Sequence, residues 1–361
     1  MPNLFGRSYT RAELLQRVGD VSQVGGVRRM RLQEGTEDGV DAIEFRTGTG
    51  LSFTVLPGRG MDISGADFCG MSLCWRSATG DACSAFFEPE ALGWLRTFYG
   101  GLVVTCGLTY CGAPCTDGED ELGLHGRVSH IPARGVHADG AWDGDEYWMW
   151  AQGKMREASV FGPNMLLTRK IRARLGESTI RIQDVVANEG HEPQEHMFLY
   201  HCNLGFPLLD AGAELLAPSR DVTPRTEFSG ETLADHAKFA PPTADMEERV
   251  YYHDFATDAH GMTCVALVNR DFGGGHALGL SLKFSKHEFT QFAQWKMPAQ
   301  GTYVTGLEPS NCRVDGRPTE REAGRLRVLE PGEQQEYNLE IGVLSSTAEI
   351  DEIEQAIQAL R

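Results

Sequence analysis

The sequence predicts an all-β protein, a large antiparallel β-sandwich with short helices at its N- and C-termini. Three observations carry that expectation. Short apolar or alternating runs recur along the chain, each closing near Gly, Pro, Asn or Asp. Forty-two glycines and sixteen prolines are spread over 361 residues, as a many-turned sandwich requires. The long 3.6-period segments that would serve as crossover helices in a parallel α/β sheet do not lie between the runs.

Taken in order, the chain opens with Thr10-x-x-Glu13, a capping box at the amphipathic stretch Ala12–Val18. It predicts a brief helix within an N-terminal arm of residues 1–40, and residues 41–361 are expected to form the sandwich. The predicted strands are Ala42–Arg46, Leu51–Leu56, Tyr147–Ala151, Asn164–Arg174, Ser178–Ala187, Glu195–Leu204, Met262–Asn269, Ala277–Phe284, Gln291–Met297 and Gln335–Leu344. Leu166-x-Thr168-x-Lys170-x-Arg172 and Ile180-x-Ile182-x-Asp184 alternate as antiparallel strands do. The polar, prolyl stretch Pro218–Glu248 reads as a long loop. Ser346-x-x-Glu349 then caps a closing helix with Ile350, Ile353, Ile357 and Leu360 on one face.

Lys and Arg total 33 against 51 Asp and Glu, and the net charge of -18 repels nucleic acid and anionic lipid. Neither is expected as a partner. No run approaches the ~18 apolar residues of a spanning helix, and Met1–Arg31 holds no signal-peptide core, so the expected location is cytoplasmic. For self-association the expectation goes no further than a homodimer. Nine cysteines, an odd number, read as reduced thiols. Cys106, Cys111 and Cys115 form the one tight group, but they lack the C-x2-C pairs of a zinc site and read as small packing residues. No Gly-x-Gly-x-x-Gly opens a helix, Gly273-Gly274-Gly275 lacks the Lys-Ser/Thr of a phosphate loop, and there is no Gly-x-Ser-x-Gly elbow. Neither a cofactor nor a resident metal is expected.

Four segments concentrate ionisable groups among turn-forming and apolar residues: Leu56-Pro-Gly-Arg-Gly-Met-Asp62, Gly123-Leu-His-Gly-Arg-Val-Ser-His130, Tyr200-His-Cys-Asn-Leu-Gly-Phe206 and Thr305-Gly-Leu-Glu-Pro-Ser-Asn311. In the third, alternation puts Phe198, Tyr200 and Cys202 on one strand face and Leu199, His201 and Asn203 on the other. An imidazole there exchanges protons near neutral pH. Glu308, before Pro309, is expected at a strand end or turn, where Tyr303, Leu307 and Pro309 would desolvate it and raise its pKa. Each also has a plain reading when taken alone, His201 as a hydrogen-bonded core histidine and Glu308 as a solvated turn carboxylate. On a strand, His125 and Arg127 point to one face, where imidazole and guanidinium suit hydroxyls, a ring oxygen or an anion; His130 has the opposite parity. Arg59 and Asp62 bracket a turn that reads equally as a salt-bridged loop. Trp295-Lys296, after Phe289 and Phe292, offers a flat apolar face and a cation for a sugar, with core packing of Trp295 as the equal alternative.

In chain order, Gly100-Gly-Leu-Val-Val-Thr-Cys-Gly-Leu108, Leu122-Gly-Leu-His-Gly-Arg127, Tyr200-His-Cys-Asn-Leu-Gly205 and Gly306-Leu-Glu-Pro-Ser-Asn311 resemble stretches of the aldose 1-epimerase, or galactose mutarotase-like, superfamily. The likeness is strongest to a bacterial branch known as a domain of unknown function, and it spans nearly the whole chain. The resemblance implies the galactose mutarotase-like supersandwich and an isomerase that interconverts sugar anomers by acid/base ring opening without a cofactor. It further implies His201 as the acid at the ring oxygen, Glu308 as the base at the anomeric hydroxyl, and His125 as a supporting catalytic histidine. Arg59 is implied as a substrate contact, and Asp62, Arg127, Asn203, Trp295 and Lys296 are expected to join it. One departure is visible: the superfamily's Asn-His-x-Tyr-Phe-Asn-Leu is Tyr200-His-Cys-Asn-Leu204 here. Arg127 with Lys296 points to a sugar acid or phosphate as readily as to a neutral sugar. Two alternatives stay open: a metal-assisted sugar isomerase using His125, His130, His201 and Glu308, and a non-catalytic carbohydrate-binding protein.

Overall fold

Because successive side chains of a strand face opposite ways, the alternating runs bury one face each, and in the computed structural model of residues Met1–Arg361 they pair into three main antiparallel sheets. The eight-stranded sheet has the order Arg134–Asp143, Glu146–Ala158, Asn164–Arg174, Thr179–Asn188, Gln334–Leu344, Leu278–Ser285, Met262–Asn269, Glu214–Leu216. The seven-stranded sheet runs Ser219–Pro224, Arg249–Phe255, Gln291–Ala299, Thr302–Ser310, Gln194–Leu204, Arg327–Leu329, with Val104–Leu108 also paired to Gln194–Leu204. Gly26–Arg31, Asp41–Arg46, Leu51–Leu56, Asp62–Phe68 and Met71–Ser72 form the five-stranded sheet.

Leu167, Ile171, Ile182, Leu280 and Leu339 of the eight-stranded sheet meet Phe198, Tyr200, Cys202, Phe292 and Leu307 of the seven-stranded sheet in one core, which Phe45, Phe53 and Val55 join from the third sheet. The opposite face of the seven-stranded sheet carries a second cluster, in which Leu199, Val250, Tyr252 and Ala293 pack with Trp94, Phe98 and Cys106. The closing helix, Thr347–Gln358, is capped by the Ser346 hydroxyl accepting from the Glu349 N–H. It lays Ile350 and Ile357 against Cys264, Ala266 and Val268 on the outside of the eight-stranded sheet. The N-terminal helix is short, Arg11–Leu15, and has the expected capping box. The sheet crosses the expected arm boundary, since Gly26–Arg31 pairs with Asp41–Arg46. No helix is long and apolar enough to cross a membrane.

Several strands escape sequence patterning. Asp62–Phe68 contains Asp and Gly, Arg134–Asp143 is a largely exposed edge strand, and Thr302–Ser310 carries Gly306 and Pro309 in its interior. Backbone pairing, not propensity, holds them. The stretch Pro218–Glu248 is not simply a loop: it contains the strand Ser219–Pro224 and the helix Glu227–Glu231.

One buried ion network links the sheets. Arg169 donates from Nε to both Asp184 oxygens (3.0 and 3.1 Å) and from Nη2 to Asp184 Oδ2 (2.5 Å). Its Nη1 donates to Asp62 Oδ1 (2.7 Å) and Gly60 O (3.0 Å), and Nη2 also reaches Thr105 Oγ1 (2.8 Å). The Tyr200 hydroxyl donates to Asp184 Oδ2 at 2.6 Å. Arg169, Asp62 and Asp184 are fully buried, so removing the cation strands two carboxylates in the core. Arg169→Met is expected to cost roughly 3–5 kcal/mol of unfolding free energy, read by urea denaturation; a loss below ~1 kcal/mol would show that the network is not holding the sheets.

Candidate functional site

The pairing of two strands builds the centre of the site. Leu199 lies opposite Ser310 and Cys202 opposite Leu307, which sets Tyr200 against Pro309 and His201 against Glu308. Side chains directly opposite on one face have Cβ atoms only ~4.5–5.5 Å apart, and His201 Nε2 stands 3.2 Å from Glu308 Oε1. Glu308 is thus inside a central strand, not at the turn expected before Pro309. On its other side it pairs with Ala293, and Trp295 pairs with Gly306. Gly306 must be small here: a Cβ on it would stand 2.3 Å from Glu308 Oε1 and 3.1 Å from the Trp295 Cβ.

Around this pair lies a cleft of about 550 Å³ lined by His201, Glu308, His125, Trp295, Val250, Arg225 and Glu248 together with loop aromatics. Trp295 meets the His201 ring edge-on at 5.3 Å between centroids, Phe98 does so at 5.4 Å and His125 at 5.6 Å, while Trp94 stacks on Phe98 at 4.4 Å. Trp295 Nε1 donates to Glu248 Oε2 at 3.0 Å. Arg225 is held by Asp315, its Nε donating to Oδ1 at 2.8 Å. An aromatic wall with a few convergent polar groups is the usual make-up of a small-molecule site.

Burial sets the protonation of the pair. Desolvation pulls His201 down to about 4, against a smaller upward pull from Asn203. Glu308 is pushed well above the usual carboxylate range, first by burial and then by the Glu248 carboxylate. Both uncharged forms are therefore favoured, a neutral imidazole beside a protonated carboxyl. His125 is lowered as well, by burial and then by His201. His201 Nδ1 and Asn203 Oδ1 are buried without a protein hydrogen-bond partner, and Glu308 Oε1 has only the His201 ring within reach. Buried polar atoms are nearly always satisfied, so the centre has hydrogen-bonding capacity left for water or a ligand.

The structure brings together His201, Glu308, His125 and Trp295 of the expected residues. Asn203 sits beside His201, its Nδ2 donating to the His201 carbonyl at 2.9 Å and to Gly100 O at 3.3 Å, which makes it a positioning residue rather than part of the wall. Four expected substrate contacts are placed elsewhere. Arg59 is buried and donates to Ser129 O, Ala82 O and Thr97 O, with His130 Nε2 2.9 Å away. Asp62 belongs to the Arg169 network. Lys296 has the opposite strand parity from Trp295: its Nζ donates to Asp235 O at 2.8 Å and lies 4.5 Å over the Phe239 ring. Arg127 is exposed over Phe87, because His125 and Gly126 take positive φ (59° and 74°) and form a turn instead of the expected strand. A Cβ on Gly126 would stand 2.3 Å from Tyr110 O, so only glycine permits that turn. The metal set of His125, His130, His201 and Glu308 does not assemble either, since both His130 ring nitrogens are engaged by Arg59, Thr97 and Ser129. Arg225 and Glu248 are the charged cleft residues that sequence reading missed; both fall within Pro218–Glu248, the polar stretch read as a loop. Arg59→Ala is expected to lower the thermal midpoint by several degrees, while Arg127→Ala stays within ~0.5 kcal/mol of wild type by the same thermal scan.

The three-sheet antiparallel architecture is that of a galactose mutarotase-like protein. The chain belongs to the family described as a domain of unknown function, DUF4432, whose model matches residues 37–343. It is similar to the structure of a candidate aldose 1-epimerase of Klebsiella pneumoniae, with 26% identity, a TM-score of 0.87, and 92% of this chain and 87% of that one covered. It shares its fold with a galactose mutarotase-like protein of Clostridium acetobutylicum (12% identity, TM-score 0.60, 90% and 99% covered). The same holds for the galactose 1-epimerase of Lactobacillus acidophilus (11%, 0.52, 89% and 99%). No curated protein matches the chain.

Proposed function

We propose that this protein is an isomerase that interconverts the anomers of a small sugar by acid/base ring opening, with His201 and Glu308 exchanging the protons and no cofactor taking part in the step. The observation that carries the reading is the buried pair itself: an imidazole and a carboxyl 3.2 Å apart, both out of water and open to an aromatic cleft. Protonated Glu308 gives its proton to the ring oxygen as the C1–O bond breaks, and His201 takes the proton of the anomeric hydroxyl. The product is the open-chain aldehyde. After rotation about C1–C2 the ring closes on the other face, the imidazolium returns its proton to the carbonyl oxygen, and Glu308 recovers the proton of the attacking hydroxyl. This ordering reverses the roles implied by family resemblance, because burial favours the protonated form of Glu308 and the neutral form of His201. His125, edge-on to His201, supports the imidazole on the anomeric-hydroxyl side.

The charges of the cleft favour a neutral sugar. The cations that suggested a sugar acid, Arg127 and Lys296, lie outside it, and Arg225 is already paired with Asp315 and faces Glu248. An arginine donor beside a glutamate acceptor suits vicinal hydroxyls.

Two tests follow from these groups. By polarimetry on anomerically pure sugars, Glu308→Gln is expected to lose on the order of 10²–10⁴ in kcat; an unchanged rate would overturn the assignment. In the wild type kcat/KM falls as pH drops through about 4, where His201 gains a proton and ceases to accept. It falls again on the alkaline side, where Glu308 loses the proton it donates, and Glu308→Gln removes that limb. In a thermal-shift screen neutral aldoses raise the unfolding midpoint and uronates do not; stabilisation by uronates alone would sink the neutral-sugar assignment.

A further inference from the structure

Directly beside the proposed catalytic pair lies a thiol–imidazole cluster whose thiols the sugar chemistry does not use. The ligand atoms of Cys106, Cys111 and His125 all fall within 4.8 Å of one another. Cys111 Sγ is 3.9 Å from His125 Nδ1, and the Cys312 thiol is in contact with Cys111 in turn. Cys106 and Cys111 are wholly buried and Cys312 is 1% exposed. Sequence spacing grouped Cys106 and Cys111 with Cys115 instead; the fold turns Cys115 toward the Tyr110 hydroxyl, 3.6 Å away, and brings in His125 and Cys312 from distant segments.

We propose that Cys106, Cys111 and His125 form a site for a soft divalent metal of the zinc class, with Cys312, the neighbour of Cys111, as the fourth protein ligand nearest to hand. Thiolates with an imidazole are a ligand set that structural zinc takes, with Zn–S of ~2.3 Å and Zn–N of ~2.0 Å, and three ligand atoms already within 4.8 Å of one another stand close to the needed separation. Simple packing does not account for the imidazole. His125 is held at φ 59°, a conformation that non-glycine residues seldom adopt, by hydrogen bonds from its N–H to Gly112 O (2.9 Å) and from the Gly107 N–H to its carbonyl (3.2 Å). The result of that strained turn is a ring nitrogen aimed at thiols. A disulfide would use two of the three sulfurs and leave His125 Nδ1 without a proper partner.

The four ligands also come from segments that need fixing relative to one another. Cys106 is opposite Leu199 on the strand of His201, Cys312 lies two residues past the strand of Glu308, and His125 is in the cleft wall. Binding at Nδ1 leaves the proton on Nε2, the tautomer His125 would present as a donor.

Metal analysis of the purified full-length protein tests this without reference to turnover, so it stands or falls apart from the proposed reaction. After dialysis against zinc and then buffer, close to one zinc per chain is expected. The cobalt-substituted wild type should show intense thiolate-to-cobalt charge-transfer absorption in the near ultraviolet, which reads the ligand set without any variant. Cys111→Ser loses metal and absorption together, and Cys115→Ser keeps both. Substoichiometric zinc, a stoichiometric metal with no thiolate bands, or a Cys106–Cys111 disulfide in the isolated protein would each overturn the site.

Discussion

A single buried guanidinium holds this architecture in register. Arg169 and Asp184 lie opposite each other on neighbouring strands of the eight-stranded sheet, and the remaining Arg169 donors cross to Asp62 of the five-stranded sheet and to Thr105. Thr105 pairs with Tyr200, whose hydroxyl returns to Asp184. Every donor of the fork finds an acceptor, which is the condition under which buried charge is tolerated. Since His201 follows Tyr200, the network fixes the strand that presents the His201 imidazole while touching only its inward face.

The seven-stranded sheet then does two jobs by parity alone. Phe198, Tyr200, Cys202, Phe292 and Leu307 fill the core between sheets, and the residues between them, His201, Glu308 and Trp295, face the cleft. A shift of one residue in the strand Thr302–Ser310 would put Glu308 in the core and Leu307 in the cleft, and the same slip in Gln194–Leu204 would bury His201. The same closeness to the core dries the pair, and dryness sets its protonation. Burial lowers the imidazole to about 4 and raises the carboxyl, so it favours an acceptor on one strand and a donor on the other.

Local patterning made much of this legible. The strands Leu51–Leu56, Asn164–Arg174 and Met262–Asn269 and both capping boxes or caps could be read from periodicity and Ser/Thr-x-x-Glu spacing, and alternation correctly set His201 apart from Tyr200 and Cys202. What could not be read was pairing across distance. Glu308 looked like a turn residue because of Pro309, yet it occupies a strand flanked on both sides, where the missing proline N–H is accommodated opposite Tyr200. Arg59 and Asp62 looked available because the turn containing them is short and polar, but their partners, Ala82, Thr97, Ser129, Thr105 and Arg169, are remote in sequence. Trp295 and Lys296 were read as one unit, although adjacent residues of a strand face opposite ways.

The contact between His201 and Glu308 constrains how a sugar is met. Nothing fits between groups 3.2 Å apart, so they cannot flank a pyranose ring from opposite sides. They present instead a donor and an acceptor side by side along one edge of the cleft. The two oxygens that exchange protons in anomer interconversion, the ring oxygen and the anomeric hydroxyl, are bonded to the same carbon and are themselves side by side. In the proposed reaction a carboxyl and an imidazole at adjoining cross-strand positions match that spacing, so that one proton would be given as the other is taken, without separated charge in a dry site. Trp295 and Phe98, edge-on to the imidazole, limit its rotation away from the carboxyl. The cross-strand register of two neighbouring strands is therefore also the distance rule for the chemistry.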